Sequence, residues 1–422
     1  MPEPATCNGC GLGCDDIEAT VSGGTIESLA CTCPLGDAWF AERTGDLPPL
    51  ARVDGRETGL EEALDAAAAL LGSARLPLVH GLGQATIEAQ REAVAIAEAI
   101  GGVLDPAGPV LDGAGGRAIQ EVGVSTASLG EVRDRSRLVV VWREDPVTTQ
   151  PRLLERLRLD RAGRGDDRTL VVVDAERTAT AEEADTFVEL PPELDFEALW
   201  VLRALVTGAP LGDAGAVPVP ALERLAGALR ECVHGTLMHG GGLSAGPGGH
   251  MRALALLLLV RDLSHEAHIV AVPLRREGNA LGAEDVLAWQ TGYPSAVSFA
   301  RGYPRSSPGE FSAAGLLERR EADAALIVAW DPLGSLLPAP AAEGLRAIPT
   351  VVVDPRATAT AAAARVAIAP AVGGIHHPGT AHRMDGVPLP LRAVLESARP
   401  ADHEVLAGLA ARLAPEPAEA TA

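Results

Sequence analysis

From residue 59 onward, short apolar runs recur along the chain, separated by stretches of helical periodicity. LPLVHGLG at 76, RLVVVW at 137, TLVVVD at 169, TLMHGGG at 236, AHIVAV at 267, ALIVAW at 325 and PTVVVD at 349 are continuous rather than alternating. Runs of this kind, rich in branched residues, read as parallel strands covered on both faces. The segments between them, such as LEEALDAAAALLG (60–72) and ATIEAQREAVAIAEAIGG (85–102), repeat apolar residues at helical spacing. The pattern predicts an α/β protein with doubly wound sheets.

Two stretches repeat each other. RLVVVWREDP (137–146) leads to VVVDAERTATA (171–181), and ALIVAWDP (325–332) leads to VVVDPRATATA (351–361). Each has a strand ending in Trp, an Asp-Pro turn, a helix, a second strand ending in Asp174 or Asp354, and a Thr-Ala-Thr-Ala segment. The repetition predicts two α/β domains whose strand ends face a cleft. Asp174 and Asp354 can cap the next helices and leave Arg177 and Arg356 in solvent. Alternatively, arginine, threonines and free helix N-termini together make an anion site. The sequence is compatible with both arrangements.

The first fifty residues differ. DIEATVSGGTIESLA alternates around a Ser22-Gly23-Gly24 turn, as a small hairpin would, and 34–45 read as a short helix with proline near its start and glycine past its end. Pro48 and Pro49 mark a linker. The domains expected are 1–50, 51–110 plus 316–410, and 111–315, with 411–422 an Ala/Pro/Glu-rich disordered tail.

Five of the six cysteines lie between residues 7 and 33. Cys7, Cys10 and Cys14 are spaced C-x2-C-x3-C, with Gly9, Gly11 and Gly13 interleaved, and Cys31 and Cys33 follow the hairpin. One compact triplet with a late partner matches the way a [4Fe–4S] cluster is held. Zinc sites more often come as two pairs, and a disulfide is the remaining alternative.

Composition narrows the compartment and the partners. The chain has 422 residues, enough for two or three domains, and its net charge of −22 speaks against nucleic acid or an anionic membrane surface. Met1–Thr6 is not a secretory signal, and the longest apolar run, Ala253–Val260, is too short to span a bilayer. A reducing cytoplasm is expected, which favours metal over disulfide.

Other candidates are weaker. WQTGYPSAVSFARGYPRSSPGEF (289–311) holds both tyrosines, with Arg301 and Arg305 beside the second turn. It reads as a cleft-lining loop that presents arginine to an anion, or as a Pro-locked surface loop. His239 precedes a Gly-Gly-Gly turn; His376, His377 and His382 cluster in sequence without a carboxylate at ligand spacing, so they read as turn residues near a cleft rather than a metal site. Cys232 stands alone after a helix and is expected to be buried. No P-loop, G-x-S-x-G or H-E-x-x-H occurs, and Gly81-Leu82-Gly83 is too weak a signal to use.

The segments CNGCGLGCDDIE (7–18), AIQEVGVSTASLGEV (118–132), WQTGYP…RGYPR (289–305) and GTAHRMDGVP (379–388) resemble the B subunit of formylmethanofuran dehydrogenase, of the molybdopterin oxidoreductase superfamily. The resemblance covers nearly the whole chain. It implies a small iron–sulfur unit followed by two doubly wound α/β domains of the formate dehydrogenase-like type. It implies Cys7, Cys10, Cys14 and Cys33 as cluster ligands; Cys33 is preferred to Cys31 because CPLGDAWF fits the family's Cys-x-x-Gly-x-x-x-Phe pattern. Arg301 falls at the family's active-site arginine, and the segments around Asp174, Arg177, Asp354 and Arg356 fall near the pterin pyrophosphates.

One departure changes the expectation. Where the dehydrogenases carry a metal-ligating cysteine or selenocysteine and then histidine, this chain has Leu111 and Asp112, and no cysteine lies between Cys33 and Cys232. Leucine cannot ligate tungsten or molybdenum. The resemblance then points to the B subunit of the bacterial formyltransferase/hydrolase complex of one-carbon metabolism. There it would be a non-redox scaffold working with subunits A, C and D, with no molybdopterin or tungstopterin and with a [4Fe–4S] cluster as a possible cofactor. The alternative is an active dehydrogenase subunit with metallopterin, [4Fe–4S] and altered metal ligation. A stand-alone electron carrier would need only the first fifty residues.

Overall fold

The computed structural model describes residues 2–45, 47–106, 114–265, 267–335 and 337–414. The chain divides into two compact units: residues 1–109, 277–383 and 388–422 form the first, and 110–276 with 384–387 form the second.

The first unit begins with an antiparallel three-stranded sheet, β1 (Glu3–Cys7), β2 (Cys14–Ser22) and β3 (Thr25–Ala30), in that order. Gly23 and Gly24 both have positive φ, which lets two residues reverse the chain in the sense that matches strand twist. Helix α1 (Pro34–Thr44) follows, with proline in its first turn and Gly45 at its C-cap. The expected separate 1–50 domain instead packs within the first unit.

That unit is built on a nine-stranded mixed sheet. Its parallel centre comprises Val103–Asp105, Pro77–Gly81, Ala324–Val328, Thr350–Val353 and Val366–Ile368, in spatial order. The chain leaves Pro77–Gly81 in one direction and later returns on its other side at Ala324–Val328. The order therefore reverses between these two strands, where open α/β sheets open a crevice. Val297–Ser298 adds antiparallel to Val103–Asp105, and Arg305–Ser306 adds to it in turn. Residues 289–311 are thus partly sheet edge rather than a long loop, with Phe299 and Phe311 buried and Trp289 and Tyr303 exposed. This edge pairing also carries 277–315 into the first unit, away from the 111–315 domain that the apolar pattern suggests.

The second unit holds a five-stranded, all-parallel sheet in the order Thr186–Glu189, Thr169–Asp174, Leu138–Trp142, His234–His239, His268–Pro273. Its reversal lies between Leu138–Trp142 and His234–His239. Val140, Trp142, Val173 and Leu237 pack with Leu199, Leu202, Leu256 and Leu259 of the covering helices in one core. The C-terminal helix Asp402–Leu413 lies on the helix Ile87–Ala99 and runs into the segment read as a disordered tail, because Val405, Leu406 and Leu409 bury one face against the first unit's core.

Candidate functional site

The loop between β1 and β2 is short because Cys7 and Cys14 are register partners. Gly13 adopts φ +52° within it, and its N–H donates to the Cys10 carbonyl at 3.1 Å. Cys7, Cys10 and Cys14 are buried, Cys33 is half-buried at the N-cap of α1, and Cys31 is exposed with φ +58°. Two glycines make room for the sulfurs. A Cβ at Gly36 would sit 3.4 Å from the Cys7 sulfur and 3.8 Å from the Cys33 sulfur, and one at Gly9 would sit 3.3 Å from the Cys7 sulfur.

Burial pushes the Cys7 thiol well above its ordinary value; the Gly9 N–H partly opposes this, and Cys10, Cys14 and Cys33 add to the rise. Burial likewise pushes Cys10 up to about 12, with Cys14 and Cys33 contributing. Four thiols that repel one another as thiolates share one pocket, and a bound cation would supply the missing counter-charge. Tetrahedral zinc, with Zn–S bonds of about 2.3 Å, holds its sulfurs about 3.8 Å apart. Among the described residues, one group of three or more metal-ligand atoms lies within 4.8 Å of one another, and it contains no cysteine. None of the six cysteines is in a disulfide, and four thiols gathered from one loop and one helix start match the donor set of a [4Fe–4S] cluster. The pocket fits the cluster.

The cysteine unit is tied to the reversal point of the nine-stranded sheet. Gly81 (φ +105°) packs against the Val328 carbonyl and Trp330, and the Leu82 N–H donates to Val328 O at 2.7 Å. Gln84, just beyond, accepts from Trp39 Nε1 at 2.9 Å and from Arg43 Nη2 at 2.6 Å. The Gly-Leu-Gly segment thus has a structural task that its sequence did not reveal. Burial pulls Arg43 down to about 10, helped by Arg356 nearby. Arg43, Gln84, Asp354, Arg356 and Asp402 line one cavity. Within it, Arg356 grips Asp354 through Nε (3.0 Å) and Nη2 (2.9 Å).

In the second unit the reversal point gathers charge. Arg143, in the left-handed region after its strand, donates to Asp195 (2.9 Å), Asp174 (3.1 Å) and the Leu190 carbonyl (2.6 Å). Glu144 is buried against Gly240 and accepts from Arg276 Nη2 at 3.0 Å. Burial and Arg275 push His239 down to about 4. Sequence reading missed Arg143 and Glu144; their place, directly after a strand that starts a sheet reversal, is the signal that could have found them.

The two copies of the repeat share one set of contacts. Thr178 caps one short helix and Thr358 its counterpart. The aspartates of the Asp-Pro turns, Asp145 and Asp331, bind the backbone N–H (2.8 and 2.9 Å) and hydroxyl (2.5 and 2.5 Å) of Thr180 and Thr360. The helix N-termini expected to be free are thus filled by carboxylates. Asp174 serves Arg143, and exposed Arg177 lies over Phe187 near Glu182. Arg301 is exposed in a turn after Val297–Ser298. Leu111 and Asp112 lie outside the described residues. Cys232 is half-buried at the C-cap of the helix Val219–Glu231. No helix among the described residues is long and apolar enough to cross a membrane.

No protein-family model matches the chain. It is 35% identical over 404 residues to the B subunit of the tungsten-containing formylmethanofuran dehydrogenase 2 of Methanocaldococcus jannaschii, covering 92% of this chain and 93% of that one. It is 32% identical over 405 residues to the protein of the same name from Methanococcus maripaludis, covering 93% of each chain. Identity to the B subunit of the formyltransferase/hydrolase complex Fhc of Methylorubrum extorquens is lower, 27% over 287 residues, covering 67% of this chain and 75% of that one. Among solved structures, the chain is similar to one in the Methylorubrum extorquens formyltransferase/hydrolase complex FhcABCD with methylofuran (TM-score 0.69, 25% identity, covering 86% of this chain and 98% of that one). It shares its fold with acetylene hydratase from Pelobacter acetylenicus (TM-score 0.70, 16% identity, covering 97% and 69%). With the cysteine pocket, the two α/β units and this coverage together, the chain belongs to the family of formylmethanofuran dehydrogenase B subunits.

Proposed function

We propose that this chain is the non-redox B subunit of a multisubunit complex of one-carbon metabolism that transfers and hydrolyses a formyl group, with subunits A, C and D as its partners. The observation that carries the reading is the cysteine inventory. Four cysteines share the N-terminal pocket, Cys31 is exposed beside it, and Cys232 caps a helix in the second unit. The donor set does not fit a thiolate-ligated tungsten or molybdenum centre, and Leu111 and Asp112 stand where the family has its ligand and histidine. We assign Cys7, Cys10, Cys14 and Cys33 to a [4Fe–4S] cluster that, when bound, supplies the counter-charge these thiolates need and pins β1, β2 and α1 together. Asp174, Arg177, Asp354 and Arg356 are each engaged by a neighbouring protein group, and Arg301 is exposed in its turn. We read them as relics of former cofactor contacts.

A second reading, an active dehydrogenase subunit with altered metal ligation, is favoured by the higher identity to the tungsten-containing subunits. Metal analysis of the native complex separates the two. The scaffold reading expects about four irons with sulfide per chain and no tungsten, molybdenum or pterin; stoichiometric tungsten or molybdenum with pterin would overturn it. Cys10→Ser is expected to abolish the iron. Isolation of the chain as a stable monomer without other subunits would count against the scaffold role.

A further inference from the structure

We propose that His377, Asp402 and His403 form a binding site for one zinc ion or a chemically similar divalent cation. The three residues come from distant parts of the chain. His377 ends the turn after Gly373, and Asp402 and His403 open the C-terminal helix. This is why the histidines alone looked like turn residues: their carboxylate is not nearby in sequence.

The turn fixes His377. Its carbonyl accepts from the Gly374 N–H at 2.9 Å, and its Nδ1 lies 2.8 Å from the Pro378 carbonyl. A carbonyl only accepts, so Nδ1 carries a proton, and in that tautomer of the imidazole the lone pair is at Nε2. That Nε2 is buried, has no hydrogen-bond partner, and faces Asp402 Oδ1 at 3.4 Å. His403 Nδ1 is also buried without a hydrogen-bond partner, and lies 3.6 Å from the same oxygen. The three ligand atoms all lie within 4.8 Å of one another.

Two of the separations can be set against the geometry of a bound ion. An N–H···O hydrogen bond would bring the atoms to about 2.7–3.2 Å. A tetrahedral ion with bonds of about 2.0–2.1 Å separates its ligands by about 3.3 Å, whereas octahedral cis ligands at the same bond length lie about 2.9 Å apart. Separations of 3.4 and 3.6 Å fit the tetrahedral edge. The supporting contacts fit as well. A metal-bound histidine commonly donates its other ring N–H to a carbonyl, as His377 does to Pro378. Asp402 is oriented by the Thr86 N–H at Oδ2 (2.9 Å) and, at Oδ1 itself, by the Thr86 hydroxyl (2.9 Å) and the His403 backbone N–H (2.8 Å), so an ion would share Oδ1 with these donors. Two imidazoles and a carboxylate leave the fourth position open to water. The competing arrangement, an imidazolium paired with Asp402, needs no ion.

The test is a Co2+ titration of the full-length protein, purified with whatever subunits accompany it and treated with a chelator, followed by visible absorption, with zinc content measured beforehand. The expected result is one Co2+ per chain with tetrahedral ligand-field bands and no sulfur-to-cobalt charge-transfer band. His377→Gln and His403→Gln should each weaken binding by at least about a hundredfold, because changes in the outer shell alone typically cost 10–100-fold. His403 is only half-buried, so its replacement spares the core even if the His377 variant does not fold. No saturable binding at millimolar Co2+, a sulfur-dominated spectrum, or unchanged affinity in the His403 variant would overturn the site.

Discussion

At Gly36 the cysteine pocket has no spare room: a methyl group there would lie 2.5 Å from Thr32 Oγ1 and 3.4 Å from the Cys7 sulfur. Alanine at a helical position ordinarily stabilises by up to about 1 kcal/mol. Gly36→Ala is nevertheless expected to lower iron and sulfide per chain, whereas Cys31→Ser, at an exposed residue, should leave both unchanged. Colorimetric iron and sulfide assays check this, with circular dichroism to confirm that the helix remains. In the second unit Arg143 carries the buried Asp195. Arg143→Met leaves that carboxylate its Trp142 Nε1 hydrogen bond (2.8 Å) but removes the guanidinium in contact with it, with an expected cost of about 3–5 kcal/mol in urea unfolding. His239 sets a pH dependence. Its folded pKa of about 4 lies below the ordinary histidine value of 6.5, so the unfolded chain binds the proton more readily. The contribution is complete above about pH 6.5 and is lost as the pH falls toward 4, by up to about 3 kcal/mol. Unfolding curves at several pH values should show this slope, and His239→Gln should flatten it.

Among the elements, the repeated strand–turn–helix units depend on the Asp-Pro turns. Asp145 and Asp331 each fill a helix N-terminus, and burial of Asp145 is outweighed by Thr148 and Thr180, which hold its carboxyl below the ordinary range. Asp145→Ala and Asp331→Ala should therefore cost similar amounts, about 1–2 kcal/mol each, measured by chemical unfolding. The Asp145 contribution should be present above the ordinary carboxylate range and fade as the pH drops below it. Unequal losses would mean that the two copies are not equivalent supports. The repeat was readable in sequence, but the aspartate that caps was not. Asp174 and Asp354 sit at strand ends with a helix next in the chain, yet the turn aspartates reach those helices from an adjacent loop.

In the molecule as a whole, each unit has its own core. Ile96, Leu326 and Val353 belong to the first, and Leu199, Leu256 and Val140 to the second. Calorimetry should therefore resolve two transitions. Ile96→Ala should lower one and Leu199→Ala the other, each by the equivalent of about 2–5 kcal/mol. A single transition moved equally by both would show that the units unfold as one.

The α/β class, the positions of the buried parallel strands, the hairpin and helix of the cysteine unit, and the family were all legible along the chain. Apolar runs and turn residues act locally, so their pattern survives in one dimension. The absence of cysteine between Cys33 and Cys232 is equally a matter of sequence. Features that depend on distant pairing came from three dimensions alone. The edge strand at Val297 draws 277–315 into the first unit, and Gln84 receives Trp39 and Arg43. Sheet reversal gathers Arg143, Glu144 and His239, although nothing in their spacing relates them. Asp402 reaches His377 only because the last helix lies along the helix that Thr86 caps. Strand order and helix docking are set by burial across the whole core, and such a choice leaves no periodic trace along the chain.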